Sequence, residues 1–175
     1  YTTASSQANN LHSGDRAGSR YYSVMNGGDW SGRIRSSFSD DVTAFMINPF
    51  VQFRGLELFG LIENASGSRV GGTGDGSINH YAAEAIYRFA GDDLHVGARY
   101  NYFEGDLDLA GYGQAPAWNA GNNVERWQIG AGWFITSTLL IKAEYVTQTY
   151  EDFPTDNALN GGEFNGVMVE GVISF

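Results

Sequence analysis

Charged side chains recur at spacings of two or four residues in several stretches of this chain, for example at Glu84 and Arg88, and at Lys142 and Glu144. Residues two apart in a β-strand share one face, so these charges would project from one side of a sheet. Opposed charges across a lumen orient dipolar solutes and filter ions, and a guanidinium offers a rigid donor fork to a carboxylate or phosphate. Alternatively, they form salt bridges between neighbouring strands. The candidate pore-lining residues are Arg54, Glu84, Arg88, Arg99, Arg126, Lys142, Glu144 and Glu170, and Glu57 shares their face.

Residue types typical of enzymes and metal sites form no comparable set. His12, His80 and His95 are scattered, and none has a metal-ligand partner at useful spacing. The Gly-rich stretch 71–77 lacks a lysine and opens no helix, so it is not a phosphate-binding loop. The stretch 104–109 lacks EF-hand ligand spacing. In a membrane protein, a lipase-type triad of Ser, His and a carboxylate would have to meet on the side that contacts lipid. Here that is the face opposite the charges, where the residues are apolar or aromatic. We therefore predict no enzymatic activity, no cofactor and no metal.

The elements that would position the charges are alternating runs typical of β-strands. Each run has about the 9–11 residues that a tilted strand needs to cross a bilayer. In the sixth run, Leu139, Ile141 and Ala143 share one face, while Lys142 and Glu144 share the other. This period of two predicts antiparallel strands. The seven runs are 42–54, 56–64, 80–90, 94–103, 124–135, 139–150 and 164–175.

The connections between these runs alternate in length. Tight turns are predicted at 54–55, 90–93 and 136–138, and long polar loops at 65–79, 104–123 and 151–163. Short turns on one side and long loops on the other are typical of outer-membrane β-barrels, in which the turns are periplasmic and the loops extracellular. The pattern thus predicts a transmembrane β-barrel in a bacterial outer membrane.

Aromatic residues fall near the ends of the runs. Aromatic rings prefer the headgroup level of a bilayer, so two such rows would mark the edges of an apolar band. The alternative is that these rings belong to an ordinary soluble core. The candidate membrane-interface residues are Phe53, Phe89, Trp133 and Phe175 at the turn ends, and Phe45, Tyr81, Tyr102 and Trp127 toward the loop ends.

The last run, FNGVMVEGVISF at 164–175, alternates up to its closing phenylalanine. An alternating strand that ends in an aromatic residue resembles the signal by which the barrel-assembly machinery recognises outer-membrane barrels. Phe175 is therefore the predicted assembly signal, and this machinery and the outer-membrane lipid are the predicted partners.

Composition agrees with strands rather than helices. The 175 residues allow one domain and include 24 Gly and 25 aromatic residues (11 Phe, 10 Tyr and 4 Trp), while cysteine is absent. No apolar run of 18 residues occurs, which excludes a transmembrane helix. The mean hydropathy of −0.27 does not exclude a barrel, because only alternate residues face lipid. The net charge of −10 argues against nucleic acid as a partner.

Seven strands are an odd number, whereas bacterial single-chain barrels have an even one. The candidate for a further strand is 19–26, which is short and poorly alternating, within a loop-like region at 1–41 that precedes the barrel strands of 42–175. Either this strand completes an eight-stranded barrel with a structural or surface-binding role, or the chain is part of a larger barrel of about 16 strands. Glycines at Gly97, Gly130, Gly132 and Gly166 leave room inside and favour the larger barrel.

Three segments resemble the C-terminal half of porins of the Bacteroidetes group, related to the phosphate-selective porin O and P family. They are GDRAGSRYYSVMN at 14–26, SGRIRSSFSDDVTAFMINPFVQFRGLELFG at 31–60 and WQIGAGWFITSTLLIKAEYVTQTYEDF at 127–153. The most specific parts are Asn48-Pro-Phe50, Gly55-Leu-Glu57 and Gly130-Ala-Gly-Trp133. The resemblance covers nearly the whole chain.

This resemblance implies an outer-membrane porin for the passive diffusion of small hydrophilic solutes or ions. A homotrimer is one expected assembly, because trimers are common among porins. The acidic residues of the loops either narrow the pore, bind divalent cations that bridge them to lipopolysaccharide, which is a predicted partner, or stay hydrated. The chain departs from the family in having a single lysine, Lys142. Because anion-selective pores of that kind rely on inward lysines, phosphate selectivity is not predicted.

Overall fold

Twelve β-strands and no helix make up the regular structure of the part of the chain that is described by a computed structural model. The described residues are 12–14, 23–25, 29–30, 34–68, 75–107, 118–157 and 159–175. The strands are β1 (His12–Gly14), β2 (Ser23–Met25), β3 (Asp29–Trp30), β4 (Ile34–Phe38), β5 (Asp40–Ile47), β6 (Phe50–Phe53), β7 (Leu56–Ser68), β8 (Asp75–Phe89), β9 (Leu94–Leu107), β10 (Trp118–Thr136), β11 (Leu139–Glu151) and β12 (Glu163–Ile173).

One antiparallel sheet contains the strands from β5 onward. Its order is β12-β11-β10-β9-β8-β7-β5, and β6 pairs with β7 next to β5. Each strand therefore lies beside its neighbour in sequence, as in an up-and-down meander. The predicted all-β, antiparallel fold is confirmed. The sheet itself is open, because β12 at one edge and β5 with β6 at the other are not hydrogen-bonded to each other. Closure into a barrel stays a prediction.

The seven predicted runs correspond to the strands of this sheet, with one interruption. The first run divides at Asn48-Pro49 into β5 and β6, and both parts pair with β7. Proline has no N–H to continue a ladder, which confines it to edge strands. The Pro49 carbonyl instead accepts a hydrogen bond from the Gly60 N–H at 2.9 Å. A Cβ at Gly60 would lie 2.9 Å from the Pro49 ring, so this glycine makes room for the proline.

Tight turns join the strands at one end of the sheet, which we call the turn end; the opposite end is the loop end. Arg54-Gly55 links β6 to β7 with φ of 47° and 82°. Positive φ at both central residues is the requirement of the type I′ turn, whose twist matches that of a hairpin. Ala90–Asp93 and Ser137-Thr138 form the other two turns. The predicted turn positions are confirmed.

The long loops are shorter than predicted. The expected loops at 65–79 and 104–123 begin and end as strand, because β7, β8, β9 and β10 continue through 65–68, 75–79, 104–107 and 118–123. The third expected loop, 151–163, corresponds to the connection between β11 and β12, although Glu151 and Glu163 are the end residues of these strands. It contains turns at 155–156 and 159–161. The prediction was wrong for the first two because the apolar face of each strand becomes polar there, which resembles a loop in sequence.

The short strands before β5 form two separate pairs. β1 pairs with β4 through His12 and Phe38, and β2 pairs with β3 through Ser23 and Trp30. Of the candidate strand at 19–26, the described part is Ser23–Met25, while 19–22 and 26 lie outside the described residues. Within the described ranges this pair is not joined to the large sheet, so it does not supply an eighth strand there.

An apolar cluster covers the loop end of one face of the sheet, the face that also bears Glu84, Arg99 and Lys142 and that we call the charged face. The buried side chains of this cluster come from β4, from six strands of the sheet and from the loop after β11. Ser39 N–H donates to the Ser68 carbonyl at 2.9 Å, which fixes the end of β4 against β7. The cluster consists of Phe38, Val42, Ala65, Ile78, Phe103, Val124, Tyr150, Phe153 and Leu159.

Candidate functional site

The register of the sheet gathers the charged residues into one region of the charged face. Glu84 pairs with Arg99 in neighbouring strands, Arg99 with Gln128, and Lys142 with Glu170. Directly paired residues in an antiparallel sheet project to the same side. The alternating pattern of the sequence therefore becomes a continuous polar surface across β8 to β12.

A cavity of 320 Å³ lies on this surface. Its floor is made by Gly97 and Gly130, which pair directly across β9 and β10. Neither glycine carries a side chain to fill the space, and a Cβ at Gly97 would already lie 3.2 Å from Ile86. The cavity is lined by Glu84, Ile86, His95, Gly97, Ala98, Arg99, Gln128, Gly130, Ala131, Lys142, Ala143, Glu144, Met168 and Glu170.

Two ion pairs stand on opposite sides of the glycine floor. On one side, Arg99 Nη1 lies 3.5 Å from Glu84 Oε2, with each side chain 30% exposed. On the other side, Lys142 Nζ lies 2.8 Å from Glu170 Oε2, with exposures of 45% and 46%. Such partly exposed pairs contribute only about 0–1 kcal/mol each to stability. Their main effect is to present charges of both signs to the cavity.

A layer of amide and ring side chains separates the cavity from the apolar cluster. Asn101 accepts a hydrogen bond from Arg99 Nε at 3.3 Å and donates to Gln128 Oε1 at 3.4 Å. Gln128 in turn donates to Glu144 Oε1 at 2.6 Å. His80 Nε2 lies 3.4 Å from Asn101 Oδ1. A connected network of this kind holds its members in fixed positions. The carboxylate of Glu144 is therefore oriented by Gln128, from the loop-end side of the cavity.

The buried guanidinium of Arg126 belongs to the same layer. Its side chain is 0% exposed, and its Nη1 lies 3.4 Å from Gln148 Oε1. Gln148 also donates to the Tyr150 hydroxyl at 2.8 Å, which joins the polar layer to the apolar cluster. Arg126 therefore supports the polar layer instead of lining the cavity.

The predicted pore-lining residues lie in four different places. Five of the eight line the cavity: Glu84, Arg99, Lys142, Glu144 and Glu170. Arg126 lies in the buried layer above them. Arg88 lies nearer the turn end, where its Nε donates to Glu57 Oε1 at 2.8 Å. Arg54 lies in the turn itself, with its guanidinium 5.1 Å from the centre of the Phe53 ring.

All eight predicted membrane-interface residues lie on the opposite side of the sheet or, for Phe175, just beyond β12. This apolar face includes Tyr81, Trp127 and Ile141, which are 44%, 50% and 44% exposed. Its aromatic rings contact one another across strands. The Tyr100 and Trp127 rings lie 4.6 Å apart and those of Tyr81 and Tyr102 lie 6.3 Å apart. A row of large apolar side chains is thus exposed along the whole width of the sheet.

The two faces exchange their character toward the loop end. On the apolar face of β8, the positions from Tyr81 to Phe89 carry apolar side chains, whereas Ser77 and Asn79 are polar. On the charged face of the same strand, Ile78 is buried in the apolar cluster. The same exchange occurs in the neighbouring strands, with Glu104, Glu125 and Thr149 on the apolar face and Phe103, Val124 and Tyr150 on the charged face. The aromatic row therefore marks a boundary between two environments.

The two histidines of the large sheet, His80 and His95, lie in different environments. His80 Nδ1 lies 3.6 Å from Glu63 Oε2, both buried in the layer above the cavity. The His95 ring covers Gly132, where a Cβ would lie 2.1 Å from a ring carbon. Among the described residues, no group of three or more His, Asp or Glu side chains could hold a metal ion.

Comparison with known proteins adds no identification. Protein-family models, curated proteins and solved structures gave no match. The resemblance to porins therefore rests on the three sequence segments alone. In the described ranges, no helix is long and apolar enough to cross a membrane.

Sequence reasoning missed the apolar cluster and the amide layer. Phe153 and Leu159 were part of a predicted loop, yet both are buried. Asn101 and Gln128 share a face with charged residues. Because their amides are uncharged, a pattern of alternating charges does not include them. The available signal was the position of Ile78 and Phe103 just beyond the aromatic row, where an apolar side chain on the charged face indicates a second core.

Proposed function

We propose that this chain forms part of the wall of an outer-membrane β-barrel channel for the passive diffusion of small hydrophilic solutes or ions. The supporting observation is the opposite polarity of the two faces over the same strand segments. An exposed apolar band backs a cavity lined by partly exposed charges of both signs. A soluble sheet would bury its apolar face, because large exposed apolar patches cause association in water.

The height of the apolar band fits a bilayer. In β8 it runs from Tyr81 to Phe89, which is about 27 Å along the strand at 3.3–3.4 Å per residue. A tilt of about 40° reduces this projection to about 21 Å, against an apolar band of about 25 Å in outer-membrane barrels. The aromatic rings at both ends account for the remainder, since they occupy the headgroup level.

The charged face is suited to a wide lumen. Narrow eight-stranded barrels fill their interior with side chains, whereas Gly97 and Gly130 leave a cavity at the middle of this sheet. The ion pairs around the cavity are partly exposed, so water would reach them in the assembled barrel. Charged and polar groups at a water-filled wall set the selectivity of a pore. These features favour the channel over a closed barrel with a structural or surface-binding role.

The partners follow from the two faces and from the last strand. Lipid would contact the apolar face, and lipopolysaccharide the outer leaflet side beyond the aromatic row. In β12, Val167, Val169 and Ile173 are 67%, 70% and 70% exposed, and Phe175 follows them. The barrel-assembly machinery would recognise these alternating apolar residues and Phe175. A homotrimer stays a prediction from the resemblance to porins.

Reconstitution into planar lipid bilayers tests the channel. We expect discrete conductance steps from the folded protein and none from a heat-denatured sample. Liposome-swelling rates should fall with increasing size of an uncharged sugar, because diffusion through a lumen is limited by size. A protein that folds in detergent and inserts into lipid but gives no conductance and no swelling would contradict the channel and favour the closed barrel.

A charge-matched pair of variants tests whether the cavity faces the lumen. Arg99→Gln removes a cation from the cavity, and Arg54→Gln removes one from the turn. Under a salt gradient, Arg99→Gln should shift the reversal potential toward cation preference, whereas Arg54→Gln should shift it less. Equal shifts would show that Arg99 has no special access to the ion path.

A further inference from the structure

The cavity offers charges of opposite sign across a floor that has no side chains. Arg99 lies on β9 at one side, and Glu144 lies on β11 at the other. Between them, on β10, Gly130 forms the floor beside Gly97. A solute can therefore approach the sheet backbone closely between a guanidinium and a carboxylate.

Both cations retain hydrogen-bonding capacity toward the cavity. A guanidinium has five N–H donors and an ammonium has three. Arg99 uses Nε toward Asn101 and Nη1 toward Glu84, the latter at 3.5 Å. Lys142 makes one ion pair, with Glu170. Because these side chains are 30% and 45% exposed, a small solute can reach them without breaking the existing pairs.

The position of the negative end is fixed by the polar layer. Gln128 holds Glu144 Oε1 at 2.6 Å, so the carboxylate does not need to be ordered when a solute binds. Pre-ordering of a binding group lowers the entropy cost of association. The second carboxylate of this side, Glu170, lies on the adjacent strand beside Lys142.

The dimensions favour a short solute with a charge at each end. Strands β9 and β11 are two positions apart in the sheet, so their backbones are separated by about 9–10 Å. The register places Val146 in the row of Arg99 and Gln128, and Glu144 lies two residues further along β11, so the two Cα atoms are about 12 Å apart. The terminal charges of an extended dipeptide are about 7 Å apart, at 3.3–3.6 Å per residue. The long side chains of Arg99 and Glu144 can span the difference. The cavity volume of 320 Å³ lies at the small end of the range of about 300–1,000 Å³ for ligand sites.

We propose that this cavity binds short zwitterionic peptides, with the peptide carboxylate on Arg99 and its ammonium on Glu144. The inference names the solute class of the proposed channel and rests on that function for its physiological meaning. A simple anion is disfavoured, because the lining has two cations, Arg99 and Lys142, against three carboxylates. A simple cation would use the carboxylates but not the remaining N–H donors of Arg99. A zwitterion uses the carboxylates and the Arg99 donors together.

A series of matched ligands tests the proposal by isothermal titration calorimetry on the folded protein in detergent micelles. The probe is alanyl-alanine, and the comparison compounds block its amine, its carboxylate or both by acetylation and amidation. Each blocked end should weaken binding about tenfold, since a hydrogen bond to a charged group contributes about 1.5 kcal/mol or more. Binding of the N-acetyl compound as tight as that of alanyl-alanine would overturn the proposal, as would the absence of binding.

Two pairs of variants assign the ends of the ligand. Arg99→Gln should weaken alanyl-alanine about tenfold and leave the affinity of the carboxyl-amidated compound unchanged. Glu144→Gln should likewise weaken alanyl-alanine and leave the affinity of the N-acetylated compound unchanged. The charge-matched controls are Arg54→Gln in the turn and Glu163→Gln on the apolar face of β12. Controls that weaken binding as much as the cavity variants would show that net charge alone is responsible.

The outcome separates this inference from the channel proposal. Conductance without selective binding of alanyl-alanine would overturn the zwitterion site and leave the channel standing. Selective binding without conductance would refute the channel and keep the site. Variants that fail to fold are recognised by their electrophoretic migration before and after boiling, and the ligand series on the unaltered protein then decides the question.

Discussion

The proposal that the apolar face contacts lipid can be tested by one arginine at Ala85. This residue is exposed on the apolar face of β8 and lies four residues from both Tyr81 and Phe89. Four residues correspond to about 13 Å along the strand, so Ala85 lies at the middle of the apolar band. Its neighbour in β9 is Ala98, which leaves space for a larger side chain. The substitution therefore adds a charge without breaking a packed contact.

The expected magnitude depends on what covers the apolar face. An arginine at the bilayer midplane of a β-barrel costs about 2–4 kcal/mol, and about 0–1 kcal/mol near the interface. The same change at a water-exposed surface usually lies within about 0.5 kcal/mol. A cost of 3 kcal/mol lowers the folding equilibrium constant more than a hundredfold. The losses of stability expected in lipid and in water are therefore different enough to be distinguished.

The assay is equilibrium unfolding in guanidinium of protein folded into lipid vesicles, followed by tryptophan fluorescence. Ser77→Arg is the matched control, because Ser77 is exposed on the same face of the same strand, four residues beyond Tyr81. We expect a loss of about 2–4 kcal/mol for Ala85→Arg and less than about 1 kcal/mol for Ser77→Arg. Equal losses for both variants would refute the membrane boundary at the aromatic row.

Three further changes test the charged face. Gly132→Ala should push the His95 ring out of its place, where a Cβ would lie 2.1 Å from it, and should lower the free energy of unfolding; Gly171→Ala, which meets no atom within 4 Å, should have little effect. Phe38→Ala should cost about 3–5 kcal/mol in the same unfolding assay, because Phe38 is 0% exposed; a cost below 1 kcal/mol would contradict its role in the apolar cluster. Lys142→Gln should change stability by less than about 1 kcal/mol, since its ion pair is half-exposed, yet should shift the reversal potential toward cations. An unchanged potential would remove Lys142 from the ion path.

The strands were predictable because their alternation is strong wherever one face is apolar. In β11, Leu139, Ile141 and Tyr145 alternate with Lys142 and Glu144, and only a period of two explains this order. The tight turns were predictable for a related reason, since Arg54-Gly55 separates two such runs by two residues. These local signals do not depend on the rest of the fold.

The cavity could be predicted only in part. The alternation assigned Glu84, Arg99 and Lys142 to one face, but the direct pairing of Gly97 with Gly130 depends on the register between β9 and β10. Register depends on turn geometry and on contacts between strands, which single runs do not reveal. The burial of Arg126 likewise depends on the apolar cluster above it, whose members are distant in sequence.

The break at Asn48-Pro49 makes the two edges of the sheet unequal templates for strand addition. β12 presents an uninterrupted edge of 11 residues, whereas the other edge is divided into β5 and β6, of 8 and 4 residues. An unpaired edge invites pairing with another chain, and proline in an edge strand is a common protection against it. Sheet growth, whether productive closure or aggregation, is therefore favoured from the β12 side. The β5–β6 edge is accordingly the better protected of the two.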